Sequence, residues 1–232
     1  MVYDKLADIY DALVGDESAW LFWVDFVVKN ISGPSILELA CGSGEITSLL
    51  AKKDYQILAT DISNTMLQKA KTKINNPNVS FKILDMKDYS LNQEFSGIIC
   101  FCDSVNYLKD YLEFQRFIEC CHKHLNKHGV LLFDMHHNQR LKEFENSWKE
   151  KGIIDNISYS WEITNQDNKL YHDFILKEKG KSYHENHIQT IFDLKTIKNL
   201  LKDTGFKVEV FDDYDIFNED LKERYFFKAW KP

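Results

Sequence analysis

Ile36-Leu37-Glu38-Leu39-Ala40-Cys41-Gly42-Ser43-Gly44 is the stretch on which the reading of this sequence turns. Ser35–Leu39 is apolar and short, as a buried strand is. It runs straight into a turn with two glycines, which adopt backbone angles other residues avoid and let the main chain approach a ligand. A helix over Glu45–Lys53 opens just after them.

Working outward, short apolar runs alternate with amphipathic stretches. Strands are predicted at Gln56–Thr60, Val79–Leu84, Gly97–Cys102 and Val130–Asp134. Between them the spacing predicts one helix from the Ser63 cap to about Ile74 and another over Tyr111–Lys127, stopped at Gly129. Upstream, apolar residues at helical spacing predict two helices, 3–13 and 17–30, the second broken by Ser32-Gly33-Pro34. Downstream, Gly152–Phe192 reads as three antiparallel strands: Ile157–Thr164, Lys169–Lys177 and Tyr183–Ile191. Turn-prone Asn165-Gln166-Asp167-Asn168 and Lys179-Gly180-Lys181 join them. A helix over Asp193–Thr204, ending at Gly205, and strands Lys207–Phe211 and Arg224–Trp230 complete the chain. The fold class is therefore α/β: a doubly wound, seven-stranded, mostly parallel sheet with two N-terminal helices and an antiparallel β insertion after the fifth strand. Residues 1–151 and 193–232 form the main domain, and 152–192 a β subdomain expected to be a lid or a dimerisation element.

Three features fall at the carboxyl ends of the first three strands, where open parallel sheets bind ligands. They are the Gly42/Gly44 turn, Asp61 and Asp85-Met86. Asp61 is placed to accept from both hydroxyls of a ribose, Asp85 from an adenine amino group, and the Met86 amide to donate to a ring nitrogen. A dinucleotide fingerprint would need a third glycine three residues after Gly44, but Thr47 stands there. Glu38, preceding the glycines, would repel a pyrophosphate and suits an ammonium group or a water beside one. The implied ligand has an adenosine and a zwitterionic tail without phosphates.

On these residues the chain resembles the class I S-adenosylmethionine-dependent methyltransferases, whose first motif is acid-x-Gly-x-Gly-x-Gly. Ala40 replaces its first glycine, a departure that asks only for a small residue. The resemblance covers about 35–135 well and the last third loosely. It implies S-adenosyl-L-methionine as cofactor and S-adenosyl-L-homocysteine as product. It also implies a cofactor-binding set of Glu38, Ala40, Cys41, Gly42, Gly44, Asp61, Ile62, Met66, Asp85, Met86 and Cys102, the last lying along the cofactor in Cys102-Asp103-Ser104. The Tyr3…Tyr10-Asp11 pattern, the Asp103-Ser104-Val105-Asn106-Tyr107 stretch and the β insertion resemble small-molecule N-methyltransferases, such as those acting on glycine and amino sugars. By that resemblance Tyr10 and Trp20 border the methionine end.

Methyl transfer from a sulfonium asks mainly for alignment, and a general base only where the acceptor needs one. His136, Tyr107 and Asp103 are the candidates to orient or deprotonate the acceptor; His136 and His137 both follow the fifth strand, and one should face the active edge. His172, His184 and His187 in the inserted strands are further candidates to touch substrate. Cys120-Cys121-His122-Lys123-His124 lacks metal-ligand spacing, so no metal is expected. Arg224 reads as structural.

Composition sets the limits. The chain has 232 residues, a net charge of -7 and 44% hydrophobic residues, an ordinary globular balance that argues against dominant phosphate-backbone binding. The N-terminal residues show no signal-peptide pattern, and Trp20–Val28, broken by Asp25, is too short to span a bilayer. Five cysteines suit a reducing compartment, so a cytoplasmic protein is expected. Either a monomer or a homodimer is expected, because the inserted strands can cover their own site or pair with a partner. The acceptor expected is a small-molecule amine or hydroxyl. The rival acceptor is RNA, although no proline follows Asp103-Ser104-Val105-Asn106 as in enzymes acting on base amines. A cofactor-binding protein without catalysis would carry the same loop and acids, and only turnover separates it.

Overall fold

Two N-terminal helices, α1 (Tyr10–Val14) and α2 (Glu17–Asn30), lead into the sheet in a computed structural model that describes residues 5–213, 215 and 222–232. Tyr3 lies outside the described residues. The expected helix over 3–13 is instead a 3-10 turn at Leu6–Asp8 followed by the short α1. Helix α2 starts where expected because the Asp16 carboxylate caps the amides of Ser18 and Ala19. Its inner face buries Trp23, Val24, Phe26 and Val27, and Trp23 stacks on Phe101 with centroids 4.4 Å apart.

Next come β1 (Ser35–Leu39), α3 (Glu45–Leu50), β2 (Gln56–Asp61), α4 (Asn64–Lys73), β3 (Val79–Ile83), β4 (Phe95–Cys100), α5 (Tyr111–His124) and β5 (Leu125–His136). The five strands pair in parallel, in the order β3-β2-β1-β4-β5. Chain connections reverse direction between β1 and β4, the switch point at which such sheets hold ligands. Several boundaries differ from expectation, β5 among them, which runs on to His136 instead of ending at Asp134, and two have a plain cause. α5 stops at His124 rather than Lys127 because the fully buried Leu125 pairs with Phe95 and starts β5 early. β4 ends at Cys100, since Cys102 and Asp103 both take the left-handed conformation (φ 57° each) and turn the chain out of the sheet.

After α6 (Arg140–Glu143) a second sheet forms from β6 (Trp148–Ile154), β7 (Ile157–Gln166), β8 (Lys169–Glu178) and β9 (Lys181–Thr190). It is a four-stranded antiparallel meander, one strand more than the sequence suggested. Lys149, Glu150 and Lys151 hide the alternation of β6, as charges do on edge strands. The overlooked signal is Asp155-Asn156. All three hairpins close with two-residue turns in which both residues have positive φ: 47° and 67° there, 52° and 59° at Asp167-Asn168, 48° and 77° at Lys179-Gly180. Such turns match the twist of antiparallel strands.

Helix α7 (Leu194–Asp203), capped by Asp193, then returns the chain to β10 (Lys207–Asp212) and β11 (Arg224–Trp230). β11 runs antiparallel between β5 and β10 and completes seven strands. One face of this sheet packs on α5 and α7 through Phe114, Phe117, Ile197 and Leu201. The other packs on α2 and α3 through Trp23, Val27, Ile46 and Leu50. Each such side chain contributes about 1.5–3 kcal/mol by its burial.

The inserted sheet is anchored at three places. At one end Ile157, Phe174 and Leu176 pack on Leu6 and Ile9 of the N-terminal segment. At the other, Ile163, Leu170 and Ile191 cover Phe144. Between them Asn106, in the turn after β4, donates to the Thr190 carbonyl at 2.7 Å.

Candidate active site

The first half of the site is made by strand ends. Past Leu39 the chain enters left-handed conformations at Ala40 (φ 54°), Gly42 (55°) and Gly44 (85°). A Cβ on Gly42 would meet nothing within 4 Å, so the loop opens to space there. A Cβ on Gly44 would lie 2.9 Å from Ala70 and from Ile74, so this glycine lets α3 start against α4. Asp61 braces the turn: its carboxylate accepts from the Gly42 amide at 2.9 Å and the Ser63 amide at 2.7 Å. Ser63 in turn caps α4 by accepting from the Met66 amide.

Glu38 is buried under this loop, and its carboxylate accepts from Thr47 Oγ1 at 2.6 Å. Burial pushes its pKa up to about 7, partly offset by the Thr47 hydroxyl and reinforced by Asp61. Burial also raises Asp61, against the amides it accepts from. Thr47 is thus the residue that both replaces the third dinucleotide glycine and holds Glu38. The two carboxylates at this loop fit a ribose and an ammonium and would repel a pyrophosphate.

Other expected cofactor residues are placed less uniformly. Ile62, next to Asp61, is 60% exposed at the same edge. Met66 is buried in α4. Asp85 commits its oxygens locally, accepting from the Lys87 amide and from Lys87 Nζ at 2.7 Å. Met86 packs against the core, 3.9 Å from Cys100 Sγ. Cys41 lies beside the α2 cluster, its amide bonded to the Thr60 carbonyl, while Cys102 is exposed in the turn after β4. Tyr10 packs beneath the inserted sheet, and Trp20 joins the α2 cluster instead. Between those two, Asp11 reaches the loop itself: it accepts from Ser43 Oγ at 2.5 Å and from Lys73 Nζ at 2.6 Å. Nothing local to Asp11 or Ser43 in the sequence predicts their meeting, 32 positions apart.

The second half is a polar cluster where the inserted sheet faces the carboxyl edge. Of the histidine pair, His136 points inward and is buried, whereas His137 packs at a tilt on Tyr225 with centroids 4.3 Å apart. His136 Nε2 lies 2.9 Å from Gln189 Oε1, and its Nδ1 3.6 Å from Asp103 Oδ1. Its amide donates to Asn106 Oδ1. His172 Nε2 also contacts Gln189 Oε1, at 3.0 Å, and Trp161 donates to His172 Nδ1. Tyr107 Oη lies 3.3 Å from His187 Nδ1. Strand alternation explains the set: His172, His187 and Gln189 share the inner face, and His184 falls on the outer face, where it pairs with Asp173.

Electrostatics sharpen this half. Burial alone would raise Asp103, yet Arg224 and His136 outweigh it and hold the carboxyl below its ordinary range. Arg224 donates to Asp103 Oδ1 at 2.8 Å, so the residue read as structural holds a catalytic candidate in place. Burial, with Asp103 adding, raises Asp134, whose Oδ2 accepts from the Asp103 amide at 3.0 Å. His136 is lowered by burial against the pull of Asp103, and His172 is pushed down to about 4 by burial and by His136. Both rings are neutral at pH 7.

The cysteine-histidine run is dispersed into packing: Cys121 is in the core, His122 sits edge-on to Phe206, and His124 accepts from the Leu91 amide. Among the described residues no group of three or more His, Cys, Asp or Glu is placed to hold a metal ion. No helix among them is long and apolar enough to cross a membrane.

Known proteins resemble this chain in sequence and fold. A family model described as a methyltransferase domain matches residues 36–129, which hold the loop, Asp61, Asp85 and the turn after β4. A Bacillus subtilis (strain 168) protein named "Putative methyltransferase YqeM" is 29% identical over all of this chain and 98% of its own. The crystal structure of an S-adenosylmethionine-dependent methyltransferase from Clostridium acetobutylicum superposes with a TM-score of 0.82 at 26% identity, covering 99% of this chain and 98% of that one. A Streptomyces venezuelae relative named dTDP-3-amino-3,4,6-trideoxy-alpha-D-glucopyranose N,N-dimethyltransferase is 23% identical over 75% of this chain and 76% of its own. By its first motif, its strand order and these likenesses, the chain belongs to the class I S-adenosylmethionine-dependent methyltransferases.

Proposed function

We propose that this chain methylates an amine of a small molecule held between the carboxyl edge of the seven-stranded sheet and the inserted sheet. One observation carries the reading. The inner face of the inserted sheet is largely apolar where it meets Phe144 and the N-terminal segment, where Glu185 alone accepts from the Lys5 and Leu6 amides, and it gathers three polar side chains, His172, His187 and Gln189, opposite Tyr107 and His136. Burying so many polar groups opposes folding unless each is paired, so their concentration at the active edge calls for a function. The amino-sugar dimethyltransferase relative supports an amine acceptor. Five free cysteines support work in the reducing cytoplasm.

Glu38, Ala40, Cys41, Gly42 and Gly44 would hold the methionine end of the cofactor, Asp61 the ribose, and Ile62, Asp85 and Met86 the adenine, with Cys102 alongside. Bound there, S-adenosylmethionine would supply a methyl carbon on a sulfonium, open to attack by a nitrogen lone pair with a neutral thioether as leaving group. The protein's part is alignment, worth on the order of 7–11 kcal/mol at best. An amine that arrives protonated must lose one proton before it has a lone pair to offer. His136 Nδ1 takes that proton, and the Asp103 carboxylate 3.6 Å away stabilises the resulting imidazolium. Tyr107 from the sheet edge and His187 from the inserted sheet orient the acceptor.

The test is calorimetric titration with S-adenosylhomocysteine on wild type and Asp61→Ala, followed by a turnover screen of small amines, alcohols and RNA. The expected result is binding weakened about 100-fold in the variant, for a charged acceptor lost from two hydrogen bonds, with amines as the methylated class. Methylation of RNA alone would move the acceptor to nucleic acid. No binding by folded wild type would overturn the reading.

A further inference from the structure

We propose that Gln189, His172 and Trp161 of the inserted sheet set the tautomer of His136, and so decide which of its ring nitrogens accepts the substrate's proton. The inference rests on the reading above, in which His136 receives that proton, and it adds the residues that prepare it.

The argument starts from a group that can only donate. An indole N–H has no acceptor capacity, and Trp161 Nε1 lies 3.2 Å from His172 Nδ1. His172 Nδ1 therefore carries a lone pair, and the neutral ring bears its hydrogen on Nε2. That hydrogen faces Gln189 at 3.0 Å. The amide must present its carbonyl oxygen there, since its NH2 would set hydrogen against hydrogen. The same Oε1 lies 2.9 Å from His136 Nε2, so it accepts a second hydrogen from that ring. Nδ1 of His136 is left with its lone pair, buried and without a hydrogen-bond partner among the described residues. A donor-only indole has thus fixed, through two residues, the state of a ring on β5.

This arrangement opposes the local preference of His136. The Asp103 carboxylate beside Nδ1 favours a hydrogen on that nitrogen, and a ring so protonated accepts nothing there. Asp103 in the turn after β4 also stabilises the imidazolium, whereas Arg140 of α6 and Arg224 of β11 oppose it; His172 and Gln189 face the ring from β8 and β9. The inserted sheet wins the tautomer, and Asp103 is kept for the cation formed when the proton arrives. Trp161, His172 and Gln189 are positioning residues in this account.

Ring 15N spectroscopy of the full chain labelled in histidine tests it, with His136→Asn to assign the signals and S-adenosylhomocysteine titration to check that each variant is folded. Wild type is expected to show His136 as the Nε2–H form. Gln189→Leu is expected to move it to Nδ1–H and to lower kcat on the order of 100-fold with KM for the acceptor little changed. Gln189→Glu keeps an acceptor oxygen in place and should keep Nε2–H, and Trp161→Phe should loosen the preference. An Nδ1–H ring in wild type, or an unchanged tautomer in Gln189→Leu, overturns the proposal. A shifted tautomer with undiminished amine turnover upholds the assignment and instead overturns the role of His136 as proton acceptor.

Discussion

At the carboxyl edge, Glu38 meets Thr47 across 9 positions of sequence, and Gly42 meets Asp61 across 19. Under the inserted sheet, His136 meets Gln189 across 53, Tyr107 meets His187 across 80, and Asn106 meets Thr190 across 84. The half proposed to hold the cofactor is mostly backbone, turns and amides with two carboxylates at strand ends, held by the register of adjacent parallel strands. The half proposed to hold the acceptor is made of side chains brought together by the docking of one sheet on another. A half built from backbone serves one ligand across many sequences, while a half built from side chains varies with the molecule it accepts. The two halves should therefore fail separately.

The largest expected effect is on the acceptor side. His136→Ala should lower turnover by about 100- to 10,000-fold, the range of general acid-base catalysis, while affinity for S-adenosylhomocysteine stays within twofold. Steady-state kinetics and calorimetry on the same sample check it; a parallel loss of cofactor affinity would join the halves into one unit.

A pH titration sharpens the cofactor side. Glu38 is raised by burial from its ordinary 4.5 to about 7. Between those values the folded chain binds more protons at this residue than the unfolded one, so its contribution to stability falls as pH rises through that window. Recognition of an ammonium requires the ionised form. Affinity for S-adenosylhomocysteine should thus rise about tenfold from pH 6 to pH 8, and Glu38→Gln should flatten the profile. A wild-type profile as flat as the variant's would remove Glu38 from the ammonium site.

The smallest effect lies where the regions touch. The N-terminal segment is held at one end by Glu185 of β9, which accepts from the Lys5 and Leu6 amides. At the other end Asp11 holds Ser43 and Lys73. Lys73 and Asp11 are each about a third exposed, so solvent screens the pair. Asp11→Ala should speed release of S-adenosylhomocysteine only about two- to fivefold in stopped flow. A larger change would make this segment the main gate between the halves.

Local signals carried far in the first half and little way in the second. β1, α2 and β11 are legible to the residue, because apolar runs bounded by Asp16, Gly33-Pro34 and the glycine turn leave the chain few alternatives. Glu38, Gly42 and Asp61 are legible as a ligand edge for the same reason: their spacing follows from strand lengths. β6 was hidden by its charges despite its Asp155-Asn156 turn. Arg224, Gln189 and Asp11 carry no local mark, since each acts through a partner far away in sequence.

The sequence by itself therefore determined the doubly wound sheet, the glycine turn after β1 and the presence of an antiparallel insertion, all of which follow from periodicity and turn chemistry within a few residues. Only the tertiary structure decided which histidine faces the edge, which inserted residues oppose it, and that Asp103 is claimed by Arg224. A strand's alternation fixes two faces, and long-range packing alone decides which of them becomes the inside.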